Sequence, residues 1–311
     1  MSGKIRYFGR EFPVWKTALH IHTTRSDGQC SPEEMIRMYE ERGFDVCCVT
    51  DHRKAAPVSQ WRSRMLLISG MEFHPRGPRG IPWHIVSYGL PEELEDLSDL
   101  PVQEGIDRVI GLGGLCHAAH PAWSEIRSSD IMELRNISGV EVYNSGADEI
   151  GRADSSQTMI ELWSAGRYLA PLGVDDMHLR AYACQAWTMV LSETRDRAGI
   201  LSALKNGRVY ASDGPEFYAI EAEGTVLHAE FSPCSQAFLM MPQWYPYMAK
   251  LPCRADRAEG RTGVYTGFTA DLKEVPDGSY VEIELRDADG KRAWSAPFLK
   301  QDGAIVFTEN R

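Results

Sequence analysis

The chain has 311 residues, of which 43% are hydrophobic and 25% charged, and its net charge of -11 argues against broad affinity for nucleic acid, which depends on neutralising phosphates. It lacks a run of about 18 apolar residues, so we expect neither a membrane-spanning segment nor a membrane partner. The seven cysteines include no CxxC pair, which favours a reduced, cytoplasmic protein.

Predicted strands and helices alternate along the first two-thirds of the chain. The first clear helix begins with Ser31 as N-cap, Pro32 in the first turn and Glu34 closing a capping box, and it ends near Arg42 before Gly43. The predicted strands that follow are DVCCVT, LLISGMEF, HIVSYGL, LCHAAHP, GVEVYNS, YLAPLGV and AWTMVLS, and the main predicted helices are PVQEGIDRVIGLGG, SSQTMIELWSAG and RDRAGILSALKNG. Such repeats are typical of a parallel sheet, open or closed into a barrel.

The pattern changes after Gly214. Short predicted strands, FYAIEAEG, TVLHAEFS, AFLMMPQ, GVYTGFTADL, SYVEIELRDADG and AWSAPFLK, are separated by turn residues, and Asp289-Gly290 is a hairpin signal. Six or seven strands in roughly 100 residues are typical of a β-sandwich. We therefore predict an α/β domain over residues 1–214 and a smaller, Ig-like all-β sandwich over residues 215–311.

Eight of the nine histidines lie between His20 and His178. Most of them, with several acids, lie at or just beyond the C-terminal end of a predicted strand, whereas His84 stands at the start of one. In a parallel α/β barrel the C-terminal strand ends share one face, so these side chains are expected to converge. Imidazole and carboxylate groups suit Zn, Mn or Fe, and a bound water would make the site hydrolytic.

The order of these motifs resembles the PHP superfamily, named for its polymerase and histidinol phosphatase members. The matching pieces are HIHTTRSDG, TDH at Thr50–His52, GME at Gly70–Glu72, His84 in WHIVSYG, AHP at Ala119–Pro121 and GVDDMH at Gly173–His178. The resemblance covers residues 17 to 178. It implies a metal-dependent hydrolase, most often a phosphoesterase, on a distorted (β/α)7 TIM-like barrel with a centre that often holds three metals.

The resemblance also implies nine metal ligands in three groups. His20, His22, Glu72 and Asp176 would hold one metal, Glu72 would bridge to a second held by His84 and His120, and Asp27, His52 and His178 would hold a third. The cofactors would then be two to three divalent transition metal ions, Zn, Mn or Fe. Asp175 precedes Asp176, and spacing favours Asp176 as the ligand. Ala18 stands where the family often has an acid.

Other polar residues are candidates for contact with the substrate. Arg25, Arg76 and Arg79 carry guanidinium groups that suit an anionic substrate, although surface arginines can serve solubility alone. Asn144, with Glu141, is expected to line the pocket. His117 lies an odd three residues before His120, on the opposite strand face, so we expect it to pack behind the ligands, with general acid as the alternative role. His74, in a loop before a proline, has the same two alternative roles, packing behind the ligands or general acid.

These features predict a metal-bound hydroxide that attacks the phosphorus of a small anionic molecule, without a nucleophilic side chain. The window from Arg53 to Arg79 contains six basic residues and one acid, which favours phosphate. An ester, carbamate or amide hydrolase using the same centre is the first alternative. The second is a non-catalytic binding protein that acts through its β-sandwich. The sequence leaves the oligomeric state open.

Overall fold

The computed structural model describes residues 3–242, 253–257 and 263–307. The strands of the first two-thirds are β1 (Lys4–Tyr7), β2 (Arg10–Ala18), β3 (Val46–Val49), β4 (Leu66–Phe73), β5 (Ile85–Tyr88), β6 (Leu115–Ala118), β7 (Gly139–Asn144), β8 (Ala170–Val174), β9 (Trp187–Leu191) and β10 (Val209–Ser212). The helices are α1 (Pro32–Glu41), α2 (Val102–Gly111), α3 (Pro121–Ser124), α4 (Ser128–Ile131), α5 (Ser156–Ser164) and α6 (Arg197–Lys205). The mixed α/β class is confirmed.

The rest of the described chain is rich in strands. These are β11 (Phe217–Glu223), β12 (Val226–Cys234), β13 (Gln236–Met240), β14 (Cys253–Arg257), β15 (Tyr265–Asp271), β16 (Tyr280–Arg286), β17 (Arg292–Ser295), β18 (Phe298–Gln301) and β19 (Ala304–Phe307). Gln243, the last residue of the predicted strand AFLMMPQ, lies outside the described residues. No helix in the described part of the chain has the length and apolar character that a membrane crossing requires.

Helix α1 forms as its capping signal predicts. The Ser31 hydroxyl accepts a hydrogen bond from the Glu34 backbone N–H (3.2 Å), and the Glu34 carboxylate accepts one from the Ser31 N–H (3.0 Å). Two otherwise unpaired backbone donors are satisfied, which stabilises such a helix by about 1 kcal/mol. The buried face of α1 packs Met35 and Tyr39 against the core beside β3.

Strand β5 departs from the predicted parallel sheet. Backbone pairing runs in the order β9, β2, β3, β4, β5, β6, β7 and β8, and β5 is antiparallel to both of its neighbours, as β9 is to β2. The described loop between β4 and β5 contains only a short 3-10 helix, and parallel strands need a longer crossover. The start of β5 therefore lies at the same edge as the ends of β4 and β6, and this explains the position of His84.

Strands β2 and β8 also meet at this edge. Ile21, just after β2, forms a parallel bridge with Met177, just after β8. The His22 N–H donates to the Met177 carbonyl and the Asp176 N–H donates to the His20 carbonyl, both at 3.1 Å. These bonds support closure of β2 to β8 into the (β/α)7 barrel, which stays a prediction.

Backbone ladders cross the domain boundary predicted at residue 214. Strand β1 pairs in parallel with β11, and β10 pairs with β17, which continues into β16 and β13. A second set of pairings runs β11, β12, β15 and β14. Phe217 and Phe231 of this set share one buried cluster with Ile283 and Phe298. The sandwich and the boundary remain predictions, whereas the Asp289-Gly290 hairpin is confirmed between β16 and β17.

Glu282 of β16 provides a test of this strand-rich region. Its side chain is buried, and its Oε1 has no hydrogen-bond partner among the described residues. Burial, reinforced by the charge of Glu284, raises the pKa of Glu282 well above its usual range. The folded state therefore keeps the proton that the unfolded chain loses above a pH of about 4.3, so this carboxyl favours folding less as pH rises.

Glu282→Gln should therefore raise Tm at pH 8 by several degrees, since about 1 kcal/mol corresponds to about 2–4 °C in a chain of this size class, and by much less at pH 5. Thermal unfolding followed by circular dichroism measures both. Glu221→Gln is the control, because Glu221 of β11 is partly exposed and pairs with Arg6 at 3.3 Å, so neutralising it should add no stability. An equal change at both pH values for Glu282→Gln would contradict the assignment.

Candidate metal centre

His20, His22, Glu72 and Asp176 bring four ligand atoms together at the edge where β2, β4 and β8 end. His20 Nε2 lies 3.0 Å from His22 Nε2 and 3.2 Å from Glu72 Oε2, and Asp176 Oδ1 lies 3.1 Å from His22 Nε2. Two ligand atoms that are each about 2.0–2.2 Å from one ion are separated by about 3 Å. The spacing of these atoms therefore fits a single metal ion.

Glu72 presents its two oxygens to different groups of histidines. Oε2 faces His20 and His22, at 3.2 and 3.3 Å, whereas Oε1 lies 2.8 Å from His84 Nδ1 and 3.7 Å from His120 Nε2. The carboxylate is buried at the end of β4, so its orientation is fixed by its surroundings. This arrangement is what a carboxylate shared by two ions requires.

Asp27, His52 and His178 form the third group. Asp27 Oδ2 lies 3.4 Å from His52 Nε2, Asp27 Oδ1 lies 3.4 Å from His178 Nε2, and the two histidine nitrogens are also 3.4 Å apart. Asp27 is 56% exposed, whereas His20 and His22 are fully buried. The third group therefore lies on the solvent side of the centre.

Several polar atoms of the predicted ligand residues lack ordinary partners. Among the described residues, His22 Nδ1, His52 Nδ1 and Asp176 Oδ1 are buried without an aligned hydrogen bond, although His52 Nδ1 lies 2.9 Å from Glu72 Oε2. Buried polar atoms are rarely left in this state, because losing water without a replacement is costly. All three belong to residues predicted to bind metal, and nitrogen and oxygen donors suit Zn, Mn or Fe. The residues present therefore fit the expected ions.

The histidines of the centre favour the ionised form of its carboxylates. Burial alone would raise the pKa of Glu72, but the charge of His20 and a hydrogen bond from His120 hold it well below its usual range. The pKa of Asp176 is likewise held low, against its burial, by His20 and His22. A divalent cation in place of the histidine protons would stabilise the same carboxylates.

The backbone is strained at two of these ligands. His120 has φ +24° and Asp176 has φ +50°, both in the left-handed region that side-chain-bearing residues rarely adopt. Both residues sit directly after a strand, where the strain turns their side chains towards Glu72 and each other. Strain of this kind persists at functional sites when the surrounding structure holds it in place.

Glu141 of β7 supports the ligands from below. Its Oε1 accepts hydrogen bonds from His20 Nδ1 (2.7 Å) and His117 Nε2 (2.9 Å), and its Oε2 accepts from the His120 backbone N–H (2.7 Å) and Asn144 Nδ2 (2.9 Å). A proton held on His20 Nδ1 leaves Nε2 free to bind metal. Sequence reasoning placed Glu141 only on the pocket wall, although its position near the end of a buried strand was a usable signal.

His117 and Asn144 lie behind the ligand atoms. His117 is fully buried and contacts Glu141, which separates it from the cluster, so its geometry favours packing over the general acid role. The Asn144 amide nitrogen donates to Glu141 and to Asp176 Oδ2 (3.2 Å). Asn144 therefore orients two carboxylates, where the sequence predicted contact with substrate.

Asp175 points away from the metal ligands. Its carboxylate accepts hydrogen bonds from the Tyr39 hydroxyl (2.6 Å) and from three consecutive backbone N–H groups, those of Cys184, Gln185 and Ala186. This carboxylate ties the segment after β8 to α1 and to the loop before β9. The arrangement supports Asp176 as the ligand.

The three predicted substrate arginines lie in different surroundings. Arg25 donates to the Ala55 carbonyl (3.1 Å) and lies 3.5 Å from Asp51, within the loop that joins His22 to Asp27. Arg79 forms a two-pronged ion pair with Asp130 at 3.0 Å. Arg76 lines a side cavity of about 340 Å³ whose described lining includes none of the predicted metal ligands. Arg25 therefore lies near the centre, whereas the guanidinium of Arg79 is held by Asp130.

His74 is a residue that the sequence underrated. Its Nε2 lies 3.5 Å from Glu72 Oε1, and its ring centroid is 4.5 Å from that of His84. Glu72 and His74 are two residues apart, a spacing that places both side chains on one face of an extended chain. That spacing was the available signal, and His74 joins the group around Glu72 Oε1.

Glu141→Gln should weaken metal binding by about 10- to 100-fold, because the amide cannot hold the His20 proton as a carboxylate does. Metal content after dialysis against a graded series of chelator concentrations measures the change, and circular dichroism checks the fold. Glu125→Gln is the control, since Glu125 is exposed and pairs with Arg152. Wild-type metal retention in Glu141→Gln would contradict the role given to this carboxylate.

Comparison with solved structures finds a similar fold in a two-domain protein. Over 93% of its length the chain is similar to 95% of a two-domain protein of Bacteroides vulgatus containing a predicted PHP-like metal-dependent phosphoesterase, with TM-score 0.51 and 14% identity. Lower TM-scores relate it to an amidohydrolase of Chromobacterium violaceum with bound sulfate (0.41; 15% identity, 53% of this chain and 88% of that one) and to a protein of Bifidobacterium adolescentis named as a metal-dependent phosphoesterase (0.38; 14% identity, 52% and 87%).

A search of curated proteins finds no significant match. The PHP domain family matches residues 18–163, which contain seven of the nine predicted ligands and leave out Asp176 and His178. The structure places those two beside the other seven. Residues 18–163 therefore match the PHP domain family, in agreement with the resemblance that the order of the histidine motifs indicates.

Proposed function

We propose that this protein is a metal-dependent phosphoesterase that hydrolyses a small phosphorylated molecule. The observation that carries the proposal is Glu72, whose two oxygens face two groups of histidines at the edge where the strands end. Divalent ions held there would lower the pKa of a bound water and offset the negative charge that develops on the phosphoryl oxygens. In the reaction the water oxygen joins phosphorus, the ester P–O bond breaks, and the alcohol leaves with a proton.

The residues of this chain divide the supporting tasks. Glu141 holds the His20 ring so that Nε2 faces the cluster, and Asn144 holds the carboxylates of Glu141 and Asp176. The exposed third group, around Asp27, is the side from which a substrate enters. We infer two to three ions of Zn, Mn or Fe, in a domain whose strands close into the (β/α)7 barrel.

Arg25 is the best-placed residue to bind the anionic part of the substrate. Its loop runs between two ligands, and its guanidinium is partly exposed, with one nitrogen on the Ala55 carbonyl. Two further cations, Arg53 and Lys54, directly follow the ligand His52. A phosphate approaching the third group therefore meets positive charge on this side, although the whole chain is negative.

Removing the metals tests the proposal directly. We expect wild-type protein to hydrolyse 4-nitrophenyl phosphate much faster than 4-nitrophenyl acetate, to lose this activity on treatment with a chelator, and to regain it with Mn²⁺, Zn²⁺ or Fe²⁺. Release of 4-nitrophenol measures both reactions. Faster hydrolysis of the acetate would favour the ester, carbamate or amide hydrolase. A purified protein without bound transition metal would favour the binding protein.

Arg25→Ala should raise KM for an aryl phosphate by about 10-fold or more, because a hydrogen bond to a charged group contributes about 1.5–3 kcal/mol. KM for a neutral ester should change little. Arg79→Ala and Arg76→Ala provide the comparison, and both should raise KM less, since Arg79 is paired with Asp130 and Arg76 lines a separate cavity. Equal changes for phosphate and ester would rule out an anion-binding role for Arg25.

A further inference from the structure

Trp123 stands in the open beside two of the predicted metal ligands. The side chain is 45% exposed, and its ring centroid lies 5.0 Å from that of His120 and 5.4 Å from that of His84. Both histidines meet Glu72 Oε1, so a molecule bound at that oxygen's side of the centre lies next to the indole. The Trp123 backbone N–H donates to the His120 carbonyl (3.0 Å), which fixes the residue relative to its ligand neighbour.

Two more exposed apolar side chains lie on the next two loops of the same edge. Ile150 ends the 3-10 helix that follows β7 and is 62% exposed, and Leu179 directly follows the ligand His178 and is 44% exposed. We call Trp123, Ile150 and Leu179 the apolar rim. They are three of the seven large hydrophobic side chains that are exposed in the described part of the chain.

Hydrogen bonds hold these three loops together. Arg152 Nη1, just beyond the 3-10 helix, donates to the Ala122 carbonyl of α3 at 3.0 Å. The Tyr182 hydroxyl, in the loop after β8, donates to Glu149 at 2.7 Å. The loop after β7 is thus fixed to both neighbours, so the three residues of the apolar rim lie on loops that are joined to one another by hydrogen bonds.

The loops after β2 and β3 carry cationic residues near the centre. Arg25, Arg53 and Lys54 follow β2 and β3, and Lys54 Nζ donates to the Arg25 carbonyl at 2.6 Å. A small inorganic anion would use only these cations and the metals. A ligand that also uses the rim has an anionic group for the cations and metals and an apolar group for the rim. Indole prefers a flat partner, since offset or edge-on contact between aromatic rings adds to simple burial.

We propose that Trp123 is a specificity-determining residue that binds a planar ring in the organic part of the substrate. The inference rests on the proposed phosphoesterase function and narrows it to phosphate monoesters whose alcohol carries an aromatic or heteroaromatic ring. The ring lies against the exposed indole while the phosphate lies at the ligand cluster. Ile150 and Leu179 extend the apolar contact without selecting for a flat group.

A matched pair of substrates isolates the ring. 2-Phenylethyl phosphate and 2-cyclohexylethyl phosphate both release a primary alcohol, so their leaving groups are alike, and they differ in the planarity of the ring. Wild-type protein should prefer the phenyl compound by about 3- to 10-fold in kcat/KM, expressed mainly in KM. Trp123→Leu should bring this ratio near one, and Trp123→Phe should retain most of it.

Ile150→Ala is the control from the same rim. It removes exposed aliphatic surface, so it should weaken the binding of both substrates to the same extent. The phenyl-to-cyclohexyl ratio of kcat/KM should then stay unchanged. Bound metal is measured in every variant, because Trp123 contacts the rings of His84 and His120. If Trp123→Leu loses metal, Trp123→Met is judged by the same ratio. A wild-type ratio near one, or a ratio unchanged in the metal-loaded Trp123 variant, would overturn the proposal.

Binding measured without turnover separates this inference from the proposed function. Calorimetric titration with 2-phenylethylphosphonate and 2-cyclohexylethylphosphonate, which cannot be hydrolysed at the P–C bond, should show the same preference and the same loss in Trp123→Leu. If the preference is present but no phosphate ester is hydrolysed, the ring-binding site is supported and the phosphoesterase function is contradicted. If both esters are hydrolysed equally well, the phosphoesterase function is supported and the ring-binding site is contradicted.

Discussion

One buried carboxylate, Glu141, organises the metal-binding end of this protein. It sits in β7 without access to solvent and accepts four hydrogen bonds from groups just after β2, on β6 and just after it, and at the end of β7. A buried negative charge is tolerated only when its surroundings supply such partners. The partners are the predicted ligand His20, the backbone of the predicted ligand His120, and the side chains of His117 and Asn144. Satisfying Glu141 therefore fixes the positions of residues that lie far apart in the sequence.

The candidate ligand set could be predicted from the sequence because each predicted ligand is tied to a local pattern. His20 and His22 alternate on one face of an extended segment, and Asp176 and His178 repeat that spacing after another strand. His84 is an exception, because it begins a strand whereas the other predicted ligands follow one. Its position is explained by the antiparallel direction of β5, which follows from a loop too short for a parallel crossover. The sequence singled out His84 as a candidate ligand, and the strand pairing in the structure explains why it lies near the others.

Residues whose roles depend on distant partners were beyond sequence reasoning. Arg79 looked like a substrate arginine, but its guanidinium meets Asp130, which lies 51 residues away in sequence. Asn144 looked like a pocket residue, but its amide joins Glu141 to Asp176. The change of pattern near residue 214 was visible in the composition of the turns. The pairing of β1 with β11, which places Arg6 opposite Ala219, left no local trace.

Those long-range ladders make the two halves of the chain interdependent. Strands β2, β9, β10, β17 and β16 are hydrogen-bonded in series, so a single sheet extends from the metal-binding half into the C-terminal half. Cutting the chain after residue 214 would remove β11 from β1 and β17 from β10, and each of these strands would keep one partner and gain one open edge. Open edges recruit strands from other molecules, so the isolated metal-binding half would be prone to aggregation despite an intact ligand set. The C-terminal half thus has a protective role that is independent of anything it binds.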